Sequence, residues 1–111
     1  MQNLTTYKLE IFLPEEALPA IMEALHQAGA GVIGNYDHCF AWSTVNGTWR
    51  PLPGAQPYLG EVGQISQSSE CKLEVNCSAQ HIAQAVAAVR RVHPYEEPLI
   101  NVIPLVNGEF K

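Results

Sequence analysis

The sequence lacks a long apolar run and a basic N-terminal segment. No stretch approaches the roughly 18 consecutive apolar residues that indicate a membrane-spanning helix. The first ten residues, MQNLTTYKLE, are polar, whereas a secretory signal starts with basic residues and continues into an apolar segment. We therefore expect a cytoplasmic protein that does not associate with membranes.

Basic residues are also scarce. Six lysines and arginines stand against eleven acidic residues, which gives a formal net charge of −5. A surface with this balance repels nucleic-acid phosphates and anionic membranes. Nucleic acid is therefore not an expected partner.

The cysteines are few and unclustered. Cys39, Cys71 and Cys77 are an odd number without a CxxC pair, which favours reduced thiols. Cys71 and Cys77 are predicted to lie on one face of a strand about 20 Å apart, too far for a disulfide. Both are expected to be buried structural thiols.

The composition indicates one globular domain. A length of 111 residues suits a single core, and 47% hydrophobic residues are enough to form it. Low-complexity segments and short repeats are absent from the sequence. We expect one domain over residues 1–111.

Two periodicities give the order of the elements. Alternating apolar residues predict strands over residues 6–13, 36–45, 70–77 and 99–105. Apolar spacings of three and four predict two helices, the first entered at Pro14–Glu16 and the second capped by Ser78 and ended by Pro94. Residues 46–60, rich in glycine and proline, are expected to form a long irregular connection.

This order predicts a ferredoxin-like βαββαβ fold of the α+β class. In this fold a four-stranded antiparallel sheet carries both helices on one face. The second and fourth strands have apolar or aromatic residues on both sides. One of those sides would be exposed in a monomer, so we expect a second subunit to cover it.

Two stretches resemble a known family: residues 29–39 (GAGVIGNYDHC) and residues 93–98 (HPYEEP). Both resemble the CutA/PII-like domain that is inserted in many members of the Ngg-one-interacting-factor-three family and also occurs alone. The similarity covers nearly the whole chain. The second stretch is also similar to CutA proteins, trimers of the same fold that are associated with divalent metal tolerance.

The resemblance implies a standalone CutA/PII-like domain that forms a homo-oligomer, with a trimer as the expected count. It implies no hydrolase activity. The dinuclear metal ligands of the two-domain relatives lie in a surrounding domain that no stretch of this chain resembles.

The two stretches contain candidate metal ligands. Imidazole, thiolate and carboxylate donors suit a divalent ion such as zinc or copper. The candidates are His38, Cys39, His93 and Glu96. Neighbouring strand residues point to opposite faces, so His38 and Cys39 are not expected to bind the same ion. A competing interpretation is that His93, Tyr95 and Glu97 form hydrogen bonds that fix the corner between the second helix and the last strand.

The central connection offers a second candidate site. Trp49 and Arg50 place an aromatic ring beside a cation, a pair that can recognise an anionic or planar ligand. Resemblance to PII proteins, which carry their partner-binding loop at this position, points the same way. The alternative is that the loop clasps a neighbouring subunit. The ligand-binding candidates are Asn35, Tyr36, His38, Trp49, Arg50, His93, Tyr95, Glu96 and Glu97.

The sequence predicts a non-enzymatic oligomeric module that binds a small ligand, a metal ion or a protein partner. It contains no convincing set of nucleophile, base and oxyanion site, so no catalytic residue is predicted. One alternative is a divalent metal-binding protein of the CutA type. The other is an enzyme that uses Cys39 or His38 on a small molecule.

Overall fold

The computed structural model describes residues 6–110 and confirms the ferredoxin-like fold. Its elements are β1 (Thr6–Leu13), α1 (Leu18–Gln27), β2 (Phe40–Trp49), β3 (Ser66–Ser78), α2 (Ile82–Val92) and β4 (Ile100–Leu105). The four strands form one antiparallel sheet in the order β2-β3-β1-β4. Within residues 6–110, no helix has the length and apolarity needed to cross a membrane.

The core lies between one face of the sheet and the inner sides of α1 and α2. Alternate residues of β1 and β3 supply its strand side, and the apolar stripes of the two helices supply the other. The fully buried large side chains are Leu9, Ile11, Leu13, Ile21, Leu25, Leu73 and Val89. Cys71 and Cys77 are buried in this core as free thiols, as predicted.

The first helix begins later than its acidic entry suggests. A short 3-10 turn takes up Glu15–Ala17, and α1 starts at Leu18. Pro19 therefore falls in the first turn of α1, where its missing N–H would have had no partner within the helix.

The second strand runs from 40 to 49, whereas the sequence predicted 36 to 45. His38 adopts a left-handed backbone with φ of 54°, which interrupts the extended chain before Phe40. At the other end, Asn46 and Gly47 pair with Ser69 and Ser68 instead of starting the connection. The irregular connection therefore covers residues 50–65 and not 46–60.

The third strand is longer than predicted and forms a two-stranded arm with β2. β1 pairs with β3 only between Cys71 and Ser78. Ser66–Glu70 pair with β2 alone, against Val45–Trp49. We call these two paired segments the β2/β3 arm. Serines and glutamine occupy much of this part of β3, so it lacks the apolar alternation that marks a strand.

The second helix starts at Ile82 with His81 as its N-cap residue, not at Ser78. Ser78 is the last residue of β3, and its hydroxyl forms a hydrogen bond with Nδ1 of His81 over 2.9 Å. The sheet pairing of Ser78 with Thr6 keeps it in the strand.

The two edges of the sheet differ. β2 is one edge and extends over ten residues, with Asn46, Gly47 and Thr48 near its far end. β4 is the other edge, is six residues long and contains Pro104. Proline in a sheet is tolerated at such an edge because it has no N–H to donate to a ladder.

Candidate functional site

Four polar side chains meet between the end of α1 and the loop that precedes β2. They are Glu23, His26, Asp37 and His38, and we call them the histidine cluster. The imidazole rings of His26 and His38 are stacked, with centroids 3.8 Å apart and an interplanar angle of 24°. Nδ1 of His38 lies 2.9 Å from Oδ1 of Asp37, and Nε2 of His38 lies 3.7 Å from Oε1 of Glu23.

The loop before β2 is held in place by backbone hydrogen bonds at Gly31. The Gly31 N–H donates to the Asn76 carbonyl over 3.0 Å, and the Gly31 carbonyl accepts from the Cys39 N–H over 2.9 Å. Gly31 has φ of 82°, which a residue with a side chain rarely adopts. These contacts tie the loop to β3 and close it at Cys39, and His38 stacks on His26 of α1.

The carboxylates of the cluster favour a protonated His38. Its hydrogen bond with Asp37 is the largest cause of a raised pKa, and Glu23 acts in the same direction. The bond from His38 lowers the pKa of Asp37. The pKa of Glu23 is also lowered, mainly by a hydrogen bond from Gln27. The cluster is therefore a site where a positive charge is favoured.

A surface groove adjoins the histidine cluster. It has a volume of about 370 Å³ and is lined by Pro19, Met22, Glu23, His38, Phe40 and Trp42. Trp42 is 53% exposed although it lies in a strand of the sheet. The groove leaves His38 and Glu23 accessible from one side.

The HPYEEP segment forms the predicted corner between α2 and β4. Nε2 of His93 contacts the carbonyl oxygen of Phe12 over 2.8 Å, and the Tyr95 N–H donates to Nδ1 over 3.2 Å. These two bonds require a neutral ring with its proton on Nε2. Burial lowers the pKa of His93, with a smaller opposing effect of the bond to Phe12. Both nitrogens of His93 are thus used within the chain, which leaves neither of them free for an ion.

The central connection meets this corner. The Tyr95 hydroxyl donates to Glu70 over 2.8 Å, and the Tyr58 hydroxyl donates to Glu16 over 2.6 Å. The rings of Tyr58 and Tyr95 lie 5.7 Å apart. Burial is the main cause of a strongly raised pKa at Tyr95, and the hydrogen bond to Glu16 is the main cause at Tyr58. We call these four residues the tyrosine–glutamate cluster.

Glu96 also holds the connection at this end of the sheet. Its carboxylate accepts a hydrogen bond from the Gln56 N–H over 3.0 Å. Glu97 is exposed. The structure thus gives His93, Tyr95 and Glu96 hydrogen-bonding roles within the fold, which supports the competing interpretation for the first two.

The two motifs do not converge on one pocket. Phe40, which follows the histidine cluster, pairs with Val75, whereas the tyrosine–glutamate cluster contains Glu70. These positions on β3 are about 17 Å apart at the rise of a strand. The predicted metal ligands are therefore divided, with His38 and Cys39 at one end of the sheet and His93 and Glu96 at the other.

The remaining predicted residues lie on loops or at the end of β2. Asn35 and Tyr36 are exposed in the loop before β2, where Tyr36 and Ile33 form an isolated bridge. Trp49 ends β2, and its Nε1–H donates to the Leu59 carbonyl over 3.0 Å. Arg50 follows and is exposed. Trp49 thus anchors the connection internally.

Sequence reasoning missed His26, Glu23 and Asp37. His26 and Glu23 are three residues apart on α1, a spacing that places them on the same side of the helix. That spacing, together with the Asp37–His38 pair, was the available signal. Nothing in the sequence shows that the loop returns to α1.

The chain is similar to known proteins in sequence and in structure. The family profile of the CutA1 divalent ion tolerance protein matches residues 58–111. A GTP cyclohydrolase 1 type 2 homolog from Halalkalibacterium halodurans is 40% identical over 101 residues, which cover 91% of this chain and 27% of that protein.

Two solved structures show the same fold. A Bacillus cereus protein related to NIF3 superposes with a TM-score of 0.81 at 33% identity, over 96% of this chain and 27% of that one. The PII-like protein CutA from Nostoc sp. PCC 7120 superposes with a TM-score of 0.68 at 19% identity, over 95% of this chain and 86% of that one. The second match shows the fold alone.

The fold is that of CutA and PII-like proteins. In sequence, the chain is similar to one part of the NIF3-related proteins, as the resemblance of residues 29–39 and 93–98 implied. It spans about a quarter of the length of the curated relatives that it matches.

Proposed function

We propose that the chain is a non-enzymatic binding module that works as a homo-oligomer, with copies in contact through the β2/β3 arm and the connection that it carries. The observation that carries the proposal is the arm, beside which residues 6–110 place no third strand. An isolated two-stranded ribbon is marginally stable in water, so the arm needs a surface to pack against.

The connection at the tip of the arm supplies apolar surface for such a contact. Several of its large apolar side chains are at least 48% exposed: Leu52 (58%), Leu59 (54%), Val62 (48%) and Ile65 (74%). Clustered apolar surface of this kind marks interaction sites. The Tyr58 hydroxyl donates a hydrogen bond to Glu16, and the Gln56 N–H donates one to Glu96. Because these bonds hold the connection, it presents the apolar side chains in a defined arrangement.

The open face of the sheet carries charged side chains on its two central strands, β1 and β3. Lys8 contacts Glu74 and lies 3.8 Å from Glu10, and Lys72 lies 3.7 Å from Glu10 on the other side. These charges largely neutralise one another within the chain. The hydrogen bond from Lys8 is the main cause of a lowered pKa at Glu74. A second copy that covered this face would bury paired charges only, at a desolvation cost that its other contacts must offset.

The geometry favours a binding role over an enzymatic one. Sγ of Cys39 contacts the Asp37 carbonyl at 3.6 Å, and the His38 ring bonds the Asp37 carboxylate. Neither contact activates a thiol. Ser78 and His81 also form a side-chain hydrogen bond, but they are only three residues apart. Such a local bond stabilises the turn between β3 and α2.

Light scattering after size-exclusion chromatography tests the assembly. We expect a mass of three chains at micromolar concentration, the count that the resemblance to CutA implies. Ile65→Glu places a charge on the proposed contact and should shift the mass towards one chain. Val106→Glu is the matched control, because Val106 is 51% exposed and follows β4. A monomeric wild type, or equal masses for both variants, would overturn the proposal.

A further inference from the structure

We propose that His26, Asp37 and His38 form a binding site for a divalent transition-metal ion, with zinc as the ion that their donors fit best. The site lies in the histidine cluster, away from the arm. The inference therefore holds whether the chain is a monomer or an oligomer.

The donor atoms of the three side chains lie near one another. One ligand atom from each lies within 4.8 Å of the other two, and no other group of His, Cys, Asp and Glu in residues 6–110 meets this condition. Zinc binds nitrogen and carboxylate oxygen at about 2.0–2.2 Å, so two ligands of one ion are separated by roughly 3–4 Å. Small side-chain movements would bring the donors into that range.

His26 provides an independent indication. Its Nδ1 is buried and has no hydrogen-bond partner among the described residues. Buried polar atoms in native proteins are nearly always satisfied, and an exception points to an ion or a water molecule. An imidazole nitrogen with a lone pair is a common ligand of zinc.

The backbone of His38 is strained at this site. His38 has φ of 54°, a conformation that residues other than glycine rarely adopt. Strained residues of this kind persist where the surrounding structure fixes them, and they cluster at binding sites. Here the hydrogen bonds of Gly31 with Asn76 and Cys39 provide the fixation.

Binding requires one ring to turn. Stacked rings hold their in-plane lone pairs side by side, so His26 and His38 do not yet point at a common centre. The His38 side chain is 50% exposed and faces the groove, which gives it room to rotate. His26 belongs to α1, and its Nδ1 is buried.

The local charge suits a cation with two positive charges. The carboxylates of Asp37 and Glu23 both face His38, at 2.9 and 3.7 Å. With neutral imidazoles the cluster carries two negative charges, and a divalent ion would neutralise them. We assign Glu23 this electrostatic role and leave the three donors to His26, Asp37 and His38.

Titration calorimetry with zinc chloride, on chain without a polyhistidine tag, tests the site. We expect one zinc ion per chain, and an affinity at least about tenfold weaker in His26→Gln and in Asp37→Asn. His81→Gln is the matched control, since it removes a partly buried histidine outside the cluster and should bind zinc as the wild type does. If His26→Gln fails to fold, Asp37→Asn carries the test, because that side chain is 62% exposed.

The two tryptophans provide a second readout that locates the ion. Trp42 lines the groove beside His38, whereas Trp49 is about 23 Å further along β2 at the rise of a strand. Copper(II) ions quench nearby indole fluorescence. We expect quenching to persist in Trp49→Phe and to disappear in Trp42→Phe.

Three results would overturn the inference. The first is an absence of zinc binding in the wild type at millimolar zinc. The second is equal zinc affinity in the wild type, His26→Gln and Asp37→Asn. The third is loss of binding in Cys39→Ser together with full binding in His26→Gln, which would place the ion on the thiol instead.

Discussion

Nε2 of His93 donates a hydrogen bond to the carbonyl oxygen of Phe12 over 2.8 Å and so joins residues 81 positions apart in the sequence. The bond ties the end of α2 to the end of β1. Since Nδ1 accepts the Tyr95 N–H at the same time, the corner depends on a neutral imidazole. Protonation of His93 would turn that acceptor into a donor and break the second bond.

Acid should weaken this corner. Because the pKa of His93 is lowered in the folded chain from its ordinary value of 6.5, the unfolded chain binds the extra proton more readily. The contribution of His93 to the free energy of unfolding is therefore complete at pH above 6.5 and is lost as the pH falls below it. His38, with its raised pKa, acts in the opposite sense, so the wild type alone cannot isolate the effect.

Comparison with His93→Gln isolates it. At pH 8 the substitution should cost about 1–3 kcal/mol of unfolding free energy, because it leaves a buried polar group without its partner. The difference should shrink at pH 5, where the wild type has lost the same contribution. Urea unfolding at the two pH values measures both. A difference that stays constant would contradict the neutral-imidazole assignment.

Alanine substitutions at two glycines can distinguish backbone strain from steric crowding of the added Cβ. Gly29 and Gly54 have φ of 97° and 98°, so alanine should introduce similar backbone strain at each, about 1–2 kcal/mol. A Cβ on Gly29 would lie 2.8 Å from the His81 ring, whereas a Cβ on Gly54 meets nothing within 4 Å. Gly29→Ala should therefore destabilise the fold more than Gly54→Ala does. Thermal or urea unfolding of the two variants checks the order, and equal losses would show that His81 moves aside freely.

The three thiols should differ in reactivity. Burial raises the pKa of Cys71 and of Cys77, and both side chains lie in the core. Cys39 is only partly buried. A thiol reagent should therefore modify one cysteine quickly in the native chain, and Cys39→Ser should remove that fast phase. Fast modification of two or more thiols would show that the core opens readily.

The centre of the fold was predictable because its sequence repeats with the right period. Leu9, Ile11 and Leu13 alternate on β1, and Leu73 and Val75 do so on β3, as expected for strands with one buried face. The helices followed from apolar spacings of three and four. These patterns arise from burial, which acts on every element that packs against the core.

The β2/β3 arm could not be predicted, because its part of β3 does not pack against the core and so lacks the apolar pattern that burial imposes. Ser66–Ser69 bury no apolar side chains and are in a strand because β2 offers them a partner. That pairing depends on tertiary structure, which outweighs local propensity. The start of β2 shifted because His38 is in the left-handed region, and the sequence around it does not require that conformation.

The candidate site was predictable in part. His38 was identified from its chemistry, whereas its contact with His26 depends on how residues 29–39 fold back onto α1. The hydrogen-bonding role of His93 and Tyr95 at the corner was foreseen as one of two interpretations, and their observed bonds agree with it.

The two edges of the sheet differ in their capacity to pair with another strand. Pro104 withholds a backbone N–H on the β4 side, whereas the ten residues of β2 include no proline. An incoming strand could therefore extend the hydrogen-bonded ladder past β2 but would meet a defect at β4. Growth by strand addition, including the unlimited kind that leads to fibres, is obstructed in one of its two directions by a single imino acid.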